Sequence, residues 1–183
     1  LLPHVTYFYL PHHNLNHVRH TVQFVPRIFH YFETNLRRKY TQIFGSYKLV
    51  FVDSAYDDVS SYASMSILDS TMILDPKMID NTRTSVTRMA EVIARQYCGH
   101  FLLAGEWADT WLLVGLSGYL SLQYMQEEFG KNELRYFVFK EAKKLLRMET
   151  HVQPLYCTNF SNPAELLTPL LLRKSPMVIY MID

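Results

Sequence analysis

Three sets of residues in this 183-residue chain have side chains and spacings that could do chemistry. His12, His13, His17 and His20 form the densest imidazole group, with His13 and His17 four apart and His17 and His20 three apart. Imidazoles at such spacing suit a divalent metal, but no carboxylate or cysteine lies among them, and a helix is expected to begin inside the cluster. Glu91 and Arg95 are four apart, with the acid on the N-terminal side. On a helix this is the favoured order for an ion pair, worth about 0.3 kcal/mol when exposed. Lys140, Lys143, Lys144 and Arg147 recur at helical spacing, opposite Leu134, Val138, Ala142 and Leu145. Such a basic face could follow a phosphate backbone or meet a protein partner, or it could be an ordinary solvated face of an amphipathic helix. Arg37, Arg38 and Lys39 read the same way. His30, His100 and His151 stand alone.

Cys98 has no base beside it in sequence and reads as a small buried side chain rather than a nucleophile. Trp107 and Trp111 are expected to pack between helices rather than to stack on bases. With only two cysteines there is no disulfide framework.

The elements that must position these groups follow from patterning. Val5–Leu10 is rich in β-branched and aromatic residues and reads as a strand ended by Pro11. Residues 14–40 have helical spacing at Val18, Val22, Val25, Ile28, Phe29 and Phe32, with Pro26 placed to kink or restart the helix. Tyr47–Val52 is a strand, and residues 62–74 form a second extended stretch. Helices are expected over residues 84–98, stopped by Gly99, over 110–129, stopped by Gly130, and over 132–148. An irregular Pro-containing stretch follows, and Ser175–Asp183 is again apolar. The class is therefore α+β and predominantly helical.

Hydrophobic residues make up 49% of the chain, enough for a packed core. Eighteen basic residues face seventeen acidic ones, so any basic surface is local. No apolar run reaches the ~18 residues of a membrane span. The ends read as those of a piece of a longer protein.

Two segments carry a resemblance to a known family. They are Glu91-Val92-Ile93-Ala94-Arg95-Gln96-Tyr97-Cys98-Gly99 and the stretch from Trp107-Ala108-Asp109-Thr110-Trp111-Leu112 through Gly115 to Tyr119-Leu120. Together they resemble the core of the aminopeptidase N-type gluzincins, whose helix H-E-L-A-H-Q-W-F-G is followed by W-x-D-x-W-L-N-E-G-F-A-x-Y-L. A compound match of this length is far more specific than a lone H-E-x-x-H. Tyr47–Val52 resembles the first strand of the catalytic domain, Tyr62–Ser66 lies where the family has G-A-M-E-N, and Lys174–Ile179 resembles a later family segment. The resemblance implies a thermolysin-like catalytic-domain fold over residues 12–183, truncated at its C-terminal end, with residues 1–11 a strand arriving from a missing N-terminal β domain.

In that frame the family's chemistry is absent. A zinc peptidase needs three protein ligands, a general base and a charge stabiliser. The two histidine positions hold Glu91 and Arg95, the base position Val92, and the third-ligand position Val114. The amine-anchoring glutamate is replaced by Ser66 and the oxyanion-stabilising tyrosine by Leu172. The expectation is no zinc, no cofactor, no small-molecule substrate and no catalysis, with Glu91, Arg95, Val92 and Val114 filling the former metal pocket. The bland alternative makes Glu91–Arg95 an ordinary pair on a solvated helix face.

Val5–Pro11, Phe51–Tyr56, Ser61–Ile67, Gly115–Tyr119 and Phe129–Glu133 are in turn similar to the large aminopeptidase-like TBP-associated factors of the general transcription factor TFIID. That resemblance implies a nuclear, non-catalytic scaffold that takes part in core-promoter recognition and supports RNA polymerase II pre-initiation complex assembly. The implied partners are other TBP-associated factors, TBP, and core-promoter DNA through the complex, with no membrane. Two alternatives stand beside it. One is an inactive aminopeptidase-fold module that binds peptides outside transcription. The other is a zinc aminopeptidase whose ligands lie elsewhere.

Overall fold

In a computed structural model the chain is described over residues 2–78, 80–148 and 154–183. His151 lies outside these residues. The chain forms two compact units, Leu1–Gln96 and Tyr97–Asp183.

The first unit is built on a four-stranded sheet of β1 (Val5–Phe8), β2 (Tyr47–Val52), β3 (Val59–Tyr62) and β4 (Met65–Asp69) in the order β1-β2-β4-β3. β2 runs parallel to both β1 and β4, while β3 pairs antiparallel with β4. The alternation in β2 is the reason for its central place. Tyr47, Leu49 and Phe51 are fully buried, whereas Lys48 between them is exposed. The strand expected over residues 5–10 stops at Phe8, and its Val5 pairs with Tyr47.

Two helices connect β1 to β2, α1 (Leu15–Val22) and α2 (Val25–Asn35). Asn14 caps α1 by accepting the Asn16 N–H at 2.9 Å. Pro26 falls in the first turn of α2, where no helical N–H is needed, so it restarts the helix instead of kinking it. Val25, Ile28, Phe29 and Phe32 are buried. Phe29, Tyr40 and Tyr47 form a triangle of edge-on rings with centroids 5.0–5.6 Å apart. The third helix, α3 (Asp80–Tyr97), begins four residues before the expected start. Val86, Met89 and Ile93 are completely buried, as the predicted stripe requires.

The second unit is helical: α4 (Thr110–Phe129), α5 (Lys131–Met148) and α6 (Pro169–Ile182). α6 begins six residues ahead of the expected apolar segment. Thr168 caps it by accepting the Leu171 N–H at 3.1 Å, and Pro169 takes the first turn. Leu122, Met125, Leu134 and Met177 make a core shared by the three helices, with Phe137, Val138, Leu145 and Tyr180 packed against it. α4 and α6 approach closely at two glycines. A Cβ on Gly118 would sit 2.3 Å from Cγ of Pro176, and one on Gly115 would sit 2.9 Å from Cγ1 of Ile179. Glycine at these positions admits the partner helix, including the ring of a proline inside it.

Candidate functional site

Glu91, Val92 and Arg95, expected at the first two ligand positions and the base position, lie on the last two turns of α3. Glu91 is clamped on both sides. Its Oε1 accepts from Nη2 of Arg95 at 2.6 Å and its Oε2 from Nη1 of Arg88 at 2.9 Å. The second arginine of this triad was not among the sequence expectations, although its i, i+3 spacing to Glu91 would have suggested it. The Glu91 side chain is 16% exposed and that of Arg95 26%, so the pair is sheltered rather than turned to bulk water. With both oxygens engaged by guanidinium donors, this carboxylate is poorly prepared to take a divalent metal. Val92, at the base position, is completely buried and has no proton acceptor to offer. The rest of α3 contains no histidine or cysteine.

Gln96, one residue on, is completely buried and used in full. Its Oε1 accepts the Ser64 N–H at 2.9 Å, while Nε2 donates to the Tyr62 carbonyl at 2.9 Å and to Oγ of Ser61 at 3.1 Å. Ser64 has a φ of 61°, in the left-handed region disfavoured for a residue with a Cβ. The Gln96 amide thus holds the turn from β3 into β4 in this conformation. That turn delivers Ser66, which is completely buried on β4 with Leu49 of β2 as its register partner.

In the second unit, Val114 is half-buried on α4 and Leu172 is exposed on α6. Neither side chain can ligate a metal or donate to an oxyanion. Trp107 is 62% exposed, so it does not pack as a core residue as expected. A 3-10 turn at Trp107–Asp109 precedes α4 and carries the tryptophan outward. Cys98 is buried, and burial pushes its thiol up from the ordinary value. This is the wrong direction for a nucleophile.

The basic face of α5 is divided by what its members touch. Lys140, Lys143 and Arg147 are exposed, and the Lys143 ammonium lies 4.3 Å from the centre of the Phe139 ring. Lys144 instead bonds Oε1 of Glu141 at 2.5 Å, and Arg173 of α6 bonds Oε2 at 2.6 Å. Glu141 is buried, whereas Ala142, expected on the apolar face, is exposed. The inward stripe of α5 runs Leu134, Phe137, Val138, Glu141, Leu145, and it accommodates a carboxylate because two cations neutralise it. Burial pushes the Glu141 carboxyl up. The hydrogen bonds and charges of Lys144 and Arg173 outweigh that push and hold it below the ordinary range. The signal for Glu141 lay in the periodicity, masked by its being an acid.

The imidazole group is split. α1 starts at Leu15, so His12 and His13 precede the helix while His17 and His20 lie on it. His20 pairs with Gln23. His12 and His13 meet Asp53, just beyond β2.

No protein-family model matches the chain. In fold it is similar to the native LTA4 hydrolase of yeast, with a TM-score of 0.82 and 16% identity over 99% of this chain and 29% of that one. It is also similar to aminopeptidase A of Legionella pneumophila, with a TM-score of 0.74 and 14% identity over 97% of this chain and 20% of that one. The architecture is thus similar to that of part of an LTA4 hydrolase or aminopeptidase chain, the fold that the motif segments led one to expect. At these identities the likeness is one of fold alone.

In sequence the chain is similar to transcription initiation factor TFIID subunit 2. It is 37% identical to the Danio rerio protein over 148 residues, which is 81% of this chain and 12% of that protein. To the Drosophila melanogaster protein it is 37% identical over 79% of this chain and 12% of that protein. To the Schizosaccharomyces pombe protein it is 29% identical over 98% of this chain and 15% of that protein. The chain therefore resembles TFIID subunit 2, and it spans only 12–15% of the length of these relatives.

Proposed function

We propose that this chain is part of a non-catalytic TFIID subunit, a scaffold that takes part in core-promoter recognition and supports assembly of the RNA polymerase II pre-initiation complex. The observation that carries the reading is the state of α3. On a helix lying in an aminopeptidase fold, the ligand positions hold Glu91 and Arg95 bonded to each other, and the base position holds a buried valine. A hydrolytic site needs a lone pair for the metal and an acceptor for the proton of water. Arg95 and Val92 supply neither, and both carboxylate oxygens of Glu91 are taken up by guanidinium donors. The same segment lies in a chain similar to TFIID subunit 2 over four fifths of its length.

On this reading the protein acts in the nucleus, with other TBP-associated factors and TBP as partners and promoter DNA reached through the complex. Among the described residues no helix is long and apolar enough to cross a membrane. The exposed Lys140, Lys143 and Arg147 offer a surface for a protein partner or a phosphate backbone. Lys144 is committed to Glu141 and contributes less to such a surface.

The test is purification of the intact protein with its partners, followed by crosslinking mass spectrometry. Expected are TBP and TBP-associated factors in the purified material, crosslinks from Lys140 or Lys143 to one of them, and no release of amino acids from peptides. Purification without any TFIID component, or amino-acid release, overturns the reading.

A further inference from the structure

We propose that His12, His13 and Asp53 form a binding site for a divalent transition metal, zinc by preference, built from residues outside the α3 segment that holds Glu91, Val92 and Arg95. The three residues come from two connections. His12 and His13 sit in the turn between β1 and α1, and Asp53 directly follows β2. Nε2 of His12 lies 2.9 Å from one carboxylate oxygen of Asp53, and Nε2 of His13 lies 3.0 Å from the other. The ligand atoms of the three residues all lie within 4.8 Å of one another. Tetrahedral zinc with bonds near 2.0–2.1 Å places its ligands about 3.3–3.4 Å apart. The observed spacings, from 2.9 Å up to at most 4.8 Å, bracket that value, so a metal can enter with side-chain adjustments of about an ångström.

The chemistry of the set agrees with its geometry. Two imidazole nitrogens and one carboxylate are a donor set that zinc takes with an open position for solvent. The site has that opening: the His12 side chain is 60% exposed and that of Asp53 40%, whereas His13 is 18% exposed and anchors the group. The two rings lie 4.2 Å apart at 46°, side by side rather than splayed. A bound ion would clip the β1–α1 turn to the end of β2.

The test uses the intact full-length protein, stripped with chelator and titrated with Zn2+ by calorimetry and with Co2+ by visible absorption. Wild type is expected to bind one equivalent more than the His12→Gln/His13→Gln double variant, and that extra Co2+ gives the absorption of a low-coordinate nitrogen–oxygen site. Asp53→Asn is expected to weaken this equivalent at least about tenfold, the scale on which even supporting residues matter at metal sites. His17→Gln leaves it unchanged. Zn2+ should raise the unfolding temperature of wild type and not of the double variant, with all variants unfolding alike in chelator. Equal stoichiometry and affinity in wild type and the double variant overturn the proposal, as does an extra equivalent lost equally in His17→Gln. Neither result bears on membership of TFIID, which the purification experiment tests separately.

Discussion

Gln96 sits in α3 and Ser64 in the turn between β3 and β4, and the carboxamide oxygen of the first accepts the backbone N–H of the second at 2.9 Å. The bond links α3 to the turn that leads from β3 into β4. It does so whatever the neighbouring Glu91, Val92, Arg95 and Ser66 do, so its expected value is to stability. Replacing Gln96 by Ala would strand the N–H of the half-buried Ser64, whose φ is positive, and the Tyr62 carbonyl. Unfolding of the Gln96→Ala variant in urea should show a loss of about 1–3 kcal/mol. A loss under 0.5 kcal/mol would mean that the turn holds itself.

Gly118 is expected to be intolerant of any side chain. Gly118→Ala drives a methyl into the Pro176 ring, which belongs to a helix and cannot step aside. The expected destabilisation is about 1–3 kcal/mol. Gly105→Ala is the control, since nothing lies within 4 Å of its added Cβ. Thermal unfolding of the two variants side by side checks the contrast.

Glu141 makes stability depend on pH. Its folded carboxyl is depressed below the ordinary value of 4.5, so its contribution is fully present above pH 4.5 and is lost as pH falls through the folded value. Glu141→Gln should be less stable than wild type at pH 7, and the difference should shrink as the solution is acidified below pH 4.5. Because the carboxylate is buried between Lys144 and Arg173, the loss at pH 7 is about 1–3 kcal/mol. A difference that stays constant from pH 7 to pH 3 would contradict the assignment.

Arg95→Ala is expected to be mild. Glu91 keeps Arg88, and a partly exposed i, i+4 pair contributes about 0.3–0.5 kcal/mol. Stability measured at low and high salt should show the small deficit and its decline with screening. Glu91→Ala should cost more than Arg95→Ala, because it leaves two arginines sharing one sheltered helix face. The reverse order would show that Arg95 has a partner other than Glu91.

What the sequence determined by itself was local or periodic. The stripe of Val86, Met89 and Ile93 placed α3, the alternation in Tyr47–Val52 placed β2, and the four-residue spacing of Glu91 and Arg95 foretold their ion pair. Those readings work because a helix or strand maps short spacings onto faces in a known way. The tertiary structure alone decided the relationships that no period encodes. Asp53 reaches His13 across 40 residues, Arg173 reaches Glu141 across 32, and Pro176 lies against Gly118 only because α6 returns along α4. Trp107 and Ala142 turned outward against expectation for the same reason: whether an apolar side chain is buried depends on which other elements come to cover it, and that is a property of the packed chain.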